Sequence, residues 1–147
     1  MKIGIVSDLH GKLPGAAVEA LQGVDRIICA GDVEREPLLW ELQTVAPVIC
    51  VMGNNDYGRI DAPFWASPTI GGVKFLIVHR PEDVGVPAPD VQVVVHGHTH
   101  IPRNQRIGNV LYVNPGSTTR PRGGSDPSIA IMEIEDGAVA DVRFVTV

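Results

Sequence analysis

The chain has 147 residues, 44% hydrophobic and only 5% aromatic, enough Val, Ile, Leu and Ala for one ordinary core without help from disulfides. A formal net charge of −5, with no clustered Lys and Arg, means that nucleic acid is not indicated, although bound divalent cations would reverse the local sign for an anionic substrate. No apolar run nears the ~20 residues needed to span a bilayer, and Met1-Lys2 leads straight into a strand, so no membrane and no leader segment are expected and the cytoplasm is the expected location.

The first half alternates strand and helix. Lys2 to Val6 is an apolar strand, followed by Ser7-Asp8-Leu9-His10-Gly11. A helix is predicted over Leu13 to Gln22, with Leu13, Ala16, Ala17, Ala20 and Leu21 on one face, Pro14 in the first turn and Gly23 as its stop. Arg26 to Ala30 is the second strand, and Gly31-Asp32 follows it. Glu36 to Val45 is the second helix, with Leu38, Leu42 and Val45 on one side and Trp40 read as a packing residue. Val48 to Met52 is the third strand, followed by Gly53-Asn54-Asn55-Asp56. This order implies parallel strands joined by helical crossovers. Cys29 and Cys50 lie in strand-like runs and read as reduced core thiols.

The second half is built from hairpins. Ser67 to Ile70 and Val73 to Val78 flank Gly71-Gly72, and His79 stands at the strand end. Pro81, Pro87 and Pro89 exclude a long helix over residues 80–90. The Val91 to Val95 strand delivers His96-Gly97-His98-Thr99-His100. Gly108-Asn109 divides a further pair of short strands that ends at Val113, before the turn Asn114-Pro115-Gly116-Ser117. Residues 118–127 form a Gly-, Pro- and Arg-rich loop. Ser128 to Ile134 and Val139 to Thr146 flank Asp136-Gly137, a strong hairpin signal. Two packed, mixed β-sheets flanked by helices, in one domain over residues 1–147, fit this α/β order.

Five predicted strands end in metal-ligand side chains: Asp8 and His10, Asp32, Asn54, His79, and His98 with His100. In open α/β sheets, sites gather at the carboxyl ends of strands. These seven donors exceed one tetrahedral zinc and include no thiolate, so they suit two cations sharing a carboxylate. Mixed carboxylate and imidazole donors favour Mn, Fe, Co, Ni or Zn over Ca or Mg. Paired cations recur in phosphatases and nucleases. Two divalent ions set against two aspartates and one hydroxide leave a net positive charge that attracts a phosphate ester.

Asp8-Leu9-His10, Gly31-Asp32, Gly53-Asn54-Asn55-Asp56, His79 and Gly97-His98-Thr99-His100, in that order, resemble the motif series of calcineurin-like metallophosphoesterases. Asn114-Pro115-Gly116-Ser117 and Arg120 to Arg122 narrow the resemblance to the small bacterial and archaeal phosphodiesterase branch. The resemblance implies a β-sandwich flanked by helices, with a dinuclear centre at one edge. It assigns Asp8, His10, Asp32 and His100 to one cation and Asp32, Asn54, His79 and His98 to the other, with Asp32 bridging and manganese the first candidate. It implies in-line hydrolysis of a small phosphoester by a metal-bound hydroxide, with Asp32, Asn54 and Asn55 at the reacting centre.

Two departures bear on that expectation. The family often has histidine at the position of Asn55, where it protonates the leaving group; an amide cannot do so near pH 7, though it can hydrogen-bond a phosphoryl oxygen. Arg80 stands where the family often has glycine, and is a candidate contact for the substrate phosphate. Asp56 and His96 are expected to support the ligands rather than to bind metal. Phe64 and Trp65 are read as packing over a loop, with stacking on a base or contact with a second copy in a homo-oligomer as the alternatives. The competing readings are a non-catalytic interaction scaffold on the same fold, and a phosphomonoesterase or small nuclease on the same metals.

Overall fold

Alternation along Lys2–Val6 sets the layering. Ile3 and Ile5 turn to one side, Gly4 and Val6 to the other, and both sides are buried. A strand covered on both faces belongs inside a layered α/β arrangement.

The computed structural model describes residues 1–147. In chain order its elements are β1 (Lys2–Val6), α1 (Gly15–Ala20), β2 (Arg26–Cys29), α2 (Glu36–Gln43), β3 (Val48–Cys50), β4 (Trp65–Ala66), β5 (Thr69–Ile70), β6 (Val73–Val78), β7 (Val93–Val95), β8 (Arg103–Ile107), β9 (Val110–Asn114), β10 (Ser128–Glu135) and β11 (Ala138–Thr146). The first sheet runs β11-β10-β1-β2-β3, with β1, β2 and β3 parallel and β10 and β11 antiparallel to their neighbours. The second runs β4-β6-β7-β9-β8, with β6, β7 and β9 parallel and β5 paired to β6. Both sheets are mixed, as the order of strands and hairpins predicts.

Between the sheets lies one core that includes Ile3, Ile5, Ile28, Phe75, Ile77, Val93, Val95, Val113 and Met132. A second core joins the outer face of the first sheet to both helices, through Val6, Leu21, Ile27, Leu38, Leu39 and Leu42. Gly4 admits α1 to that face, because a Cβ there would stand 2.3 Å from Leu21 Cδ2. No helix is long and apolar enough to cross a membrane.

Several boundaries differ from the sequence expectation. Helix α1 is confined to Gly15–Ala20, because Pro14 is still extended at ψ 141° and Gly23 turns the chain at φ +85°. Ala16, assigned to the apolar face, is exposed. Trp40, read as packing, is 59% exposed on α2, where Leu38, Leu39 and Leu42 form the buried side instead. Strand β4 carries no periodic signal, being two residues long, and exists through its pairing with β6. Residues 80–90 hold only a short turn, Pro81–Asp83, of 3-10 type.

Candidate metal centre

The parallel strands of each sheet bring their carboxyl ends to one edge of the sandwich. Asp8 follows β1, Asp32 follows β2, Asn54 follows β3, His79 follows β6, and His98 and His100 follow β7. Backbone bonds join the ends: Asp8 N donates to Gly31 O (2.9 Å), His10 N to Asp32 O (2.9 Å) and Gly97 N to His79 O (2.9 Å). Across the sheets, His98 N donates to Asp8 Oδ2 at 3.0 Å. Two glycines make this approach possible. A Cβ on Gly97 would meet Ser7 Oγ at 2.0 Å, and one on Gly53 would meet Asp32 N at 2.3 Å.

The loops take left-handed backbone where side chains are needed. Asp8, His10, Asp32, Glu34, His98 and His100 all have positive φ, between 48° and 72°. Such geometry costs about 1–3 kcal/mol per residue and clusters at functional sites. In the loop after β7 this backbone turns His98 and His100 apart: His98 meets Asn54, and His100 meets His10 and Asp8.

Three imidazoles are fixed from behind. His79 Nδ1 contacts Ala30 O at 2.6 Å, His100 Nδ1 contacts Arg120 O at 2.7 Å, and His10 Nδ1 contacts the Glu34 carboxylate. A carbonyl or carboxylate oxygen can only accept, so each Nδ1 carries the proton, and in the neutral ring each Nε2 presents a lone pair. Those Nε2 atoms converge on two buried carboxylates. Asp8 Oδ1 lies 3.3 Å from His100 Nε2, 3.8 Å from His79 Nε2 and 3.9 Å from His10 Nε2. Asp32 Oδ2 lies 3.3 Å from His79 Nε2 and 3.8 Å from His10 Nε2. Asp8 Oδ1 and His79 Nε2 are fully buried and have no hydrogen-bond partner. A buried carboxylate oxygen is costly without a partner. Separations of this size are what two donors span when each is about 2.0–2.2 Å from a shared cation. The residues therefore fit divalent metal, as two groups: Asp8, His10 and His100, and Asp8, Asp32 and His79.

Charge acts in the same sense. Burial alone would raise the Asp32 carboxyl, but His79 and the two Asn55 donors outweigh it and hold the group below the usual carboxylate range. Burial disfavours a charged His79, yet Asp32 and Asp8 outweigh it and raise the imidazole above its ordinary value. The carboxylates thus draw positive charge into the pocket.

Asp8, His10, Asp32, His79 and His100 surround one centre, and Asn54 and His98 lie beside it. Asn54 Oδ1 and His98 Nδ1 are 3.1 Å apart, and the His98 ring centroid is 5.3 Å from that of His79. Asn55 donates to Asp32 twice, from its backbone N to Oδ1 and from Nδ2 to Oδ2, each at 2.9 Å. Asp56 accepts the amides of Asp32, Glu34 and Gly53, each at 2.8 Å, and so ties the second loop to the third. His96 makes no hydrogen bond to any of the seven ligand-type residues; its Nδ1 contacts Gly97 O at 3.0 Å and its Nε2 accepts from Arg103 at 3.1 Å. Arg80 is exposed and forks onto the Asp83 carboxylate at 3.2 and 3.4 Å. Sequence reasoning missed Glu34 and the carbonyl of Arg120. It read Ser117 only as part of a turn, whereas its Oγ donates to Asp8 O at 2.7 Å. Glu34 left only a faint trace, a carboxylate two residues after Asp32 with Arg35 and Glu36 beside it, one charge among several.

A model of the calcineurin-like phosphoesterase superfamily domain matches residues 1–137. A probable metallophosphoesterase of Methanothermobacter thermautotrophicus is 34% identical, over 99% of this chain and 92% of its own length. A phosphodiesterase of Methanocaldococcus jannaschii is 30% identical, over 92% of this chain and 94% of its own. Among solved structures, an archaeal phosphodiesterase superposes with a TM-score of 0.83 at 28% identity, over the whole of both chains. Vps29 of Entamoeba histolytica, solved with zinc, has a TM-score of 0.76 at 21% identity over 99% of this chain and 98% of its own, a likeness of fold alone.

Proposed function

This chain belongs to the calcineurin-like phosphoesterase superfamily, and from that premise we propose that it hydrolyses small phosphodiesters with two divalent cations. The supporting observation is the anchoring of His10, His79 and His100 through Nδ1, which turns their Nε2 atoms onto the buried Asp8 and Asp32 carboxylates. Asp8, His10, Asp32 and His100 would hold one cation and Asp32, Asn54, His79 and His98 the other, with manganese the first candidate and iron, nickel, cobalt and zinc behind it. Cations bound there supply Lewis acidity and positive charge to a phosphoester.

The protein's own groups divide the remaining work. Asp32, with Oδ2 3.8 Å from His10 Nε2 and 3.3 Å from His79 Nε2, would be the carboxylate that the two cations share. Asn54 contributes an oxygen without a further negative charge, which keeps the pocket attractive to an anion. Asn55 holds Asp32 in place through Nδ2 and offers no acidic proton. Without a proton from Asn55 for the leaving group, aryl diesters should react faster than alkyl diesters. The preference for diesters is supported by the relatives named phosphodiesterase. An interaction scaffold is disfavoured, because none of the seven ligand-type positions has been lost.

A panel of mono-, di- and cyclic phosphates, assayed with Mn²⁺, Co²⁺, Ni²⁺ and Zn²⁺, tests this reading against Asp32→Ala. Turnover of p-nitrophenyl diesters well above alkyl diesters, reduced to background in Asp32→Ala, is expected. Folded protein with no turnover on any metal, or equal rates for Asp32→Ala, would overturn it.

A further inference from the structure

Both helices pack on the first sheet, so no helix covers the outer face of the second. Three of the chain's seven aromatic side chains (three Phe, two Trp, two Tyr) gather at one end of that face. Tyr57, Phe64 and Trp65 are 63%, 61% and 62% exposed. Apolar rings left in water at one place mark a contact surface more often than chance. They line a groove of about 480 Å³ with Val78, Arg80 and Asp83. That volume suits a small ligand.

What the groove joins identifies its occupant. Tyr57, Phe64, Arg80 and Asp83 also line a narrower cleft, whose other walls include Asn54 and His79. Strand pairing fixes this continuity. Trp65 is the register partner of Val78, the residue before His79. Arg80 is tethered to Asp83, so a charged rim stands where the groove meets the cleft. A molecule with its phosphate at the metal centre would lay its next group against the aromatic rings.

We infer that this groove is a subsite for a flat aromatic ring, an aryl group or a nucleobase, carried on one arm of the phosphodiester. The inference rests on the phosphodiesterase reading and adds to it the class of substrate. Stacking of a ring on aromatic side chains should tighten binding about tenfold to a hundredfold over a ligand that lacks the ring.

Phenyl phosphate, thymidine 5′-monophosphate and methyl phosphate share the phosphate and differ in the attached group. Their binding to the Mn²⁺-loaded protein, by calorimetry, tests the subsite without turnover. A Trp40→Phe background makes Trp65 the sole tryptophan and its emission a second readout. The first two ligands are expected to bind at least about tenfold tighter than methyl phosphate and to quench Trp65. Phe64→Ala and Trp65→Ala should bring that ratio toward one, and Trp65→Phe should preserve it. A larger preference for thymidine monophosphate than for phenyl phosphate assigns the subsite to nucleosides, the reverse to aryl esters. Equal affinities for all three ligands, or a preference that survives both alanine variants, would overturn the inference. So would a dimer in sedimentation that Phe64→Ala dissociates while the ratio stays near one, which would give the groove to a second copy. Ring-selective binding without hydrolysis of any diester would sink the phosphodiesterase reading and leave the subsite standing.

Discussion

Glu34 braces the ring of His10 from behind, and its loss should loosen the metal more than the fold. Glu34→Gln keeps the size and removes the charge that favours a protonated Nδ1. Outer carboxylates of this kind typically control metal affinity by about 10–100-fold. Titration of the metal-free protein with Mn²⁺ should therefore give a dissociation constant raised by about that factor, with the metal-free unfolding midpoint little changed. An unaltered constant would remove Glu34 from the support of the site. Glu34 was hard to see in the sequence, because no spacing rule applies once both Asp32 and Glu34 leave extended backbone, at φ 55° and 70°. The seven ligand-type residues were legible for the opposite reason. They all stand within five residues of the end of an apolar run, and the end of a run is visible without coordinates.

At the level of loops and strands, glycine separates the site from the scaffold. Gly97 lets the loop after β7 rest on Ser7 and Asp8, with the position of its absent Cβ 2.0 Å from Ser7 Oγ and 2.7 Å from Asp8 Oδ2. Gly97→Ala should push these loops apart and weaken Mn²⁺ binding by an order of magnitude or more. Gly15, at the start of α1, has open space around its Cβ position and a φ outside the left-handed region. Gly15→Ala should stabilise the protein by about 0.5–1 kcal/mol in urea denaturation and leave metal binding alone. The opposite signs check that close approach, rather than glycine as such, is what the loop needs. The strands themselves were legible to within a residue or two, as with β1 and β6, because Val, Ile and Leu alternate or run together there. Strand β4 was not, since two residues carry no period, and Trp40 was misread because a tryptophan in a helix says nothing about which face it takes.

Across the whole molecule, the two sheets meet at the edge where both sets of carboxyl ends converge, so a metal bound there would clamp the sandwich together. A ligand that binds only the folded state stabilises it by about 2.7 kcal/mol per site at a hundred times its dissociation constant. For a chain of this length that corresponds to a rise of about 5–10 °C in Tm. Scanning calorimetry with and without Mn²⁺ should show such a shift, reversed by a chelator and absent in Asp32→Ala. The sheet order was legible only in part: β-α-β-α-β predicted the parallel half, whereas the return of β10 beside β1 is a long-range pairing that local pattern does not encode.

The seven side chains, drawn from five strand ends, are held to share one pair of cations across Asp32. Anomalous scattering from crystals grown with Mn²⁺ measures this most directly. Two peaks about 3.5–4 Å apart are expected, with the Asp32 carboxylate between them and His10 and His79 on opposite sides. A single peak, or peaks remote from Asp32, would contradict it.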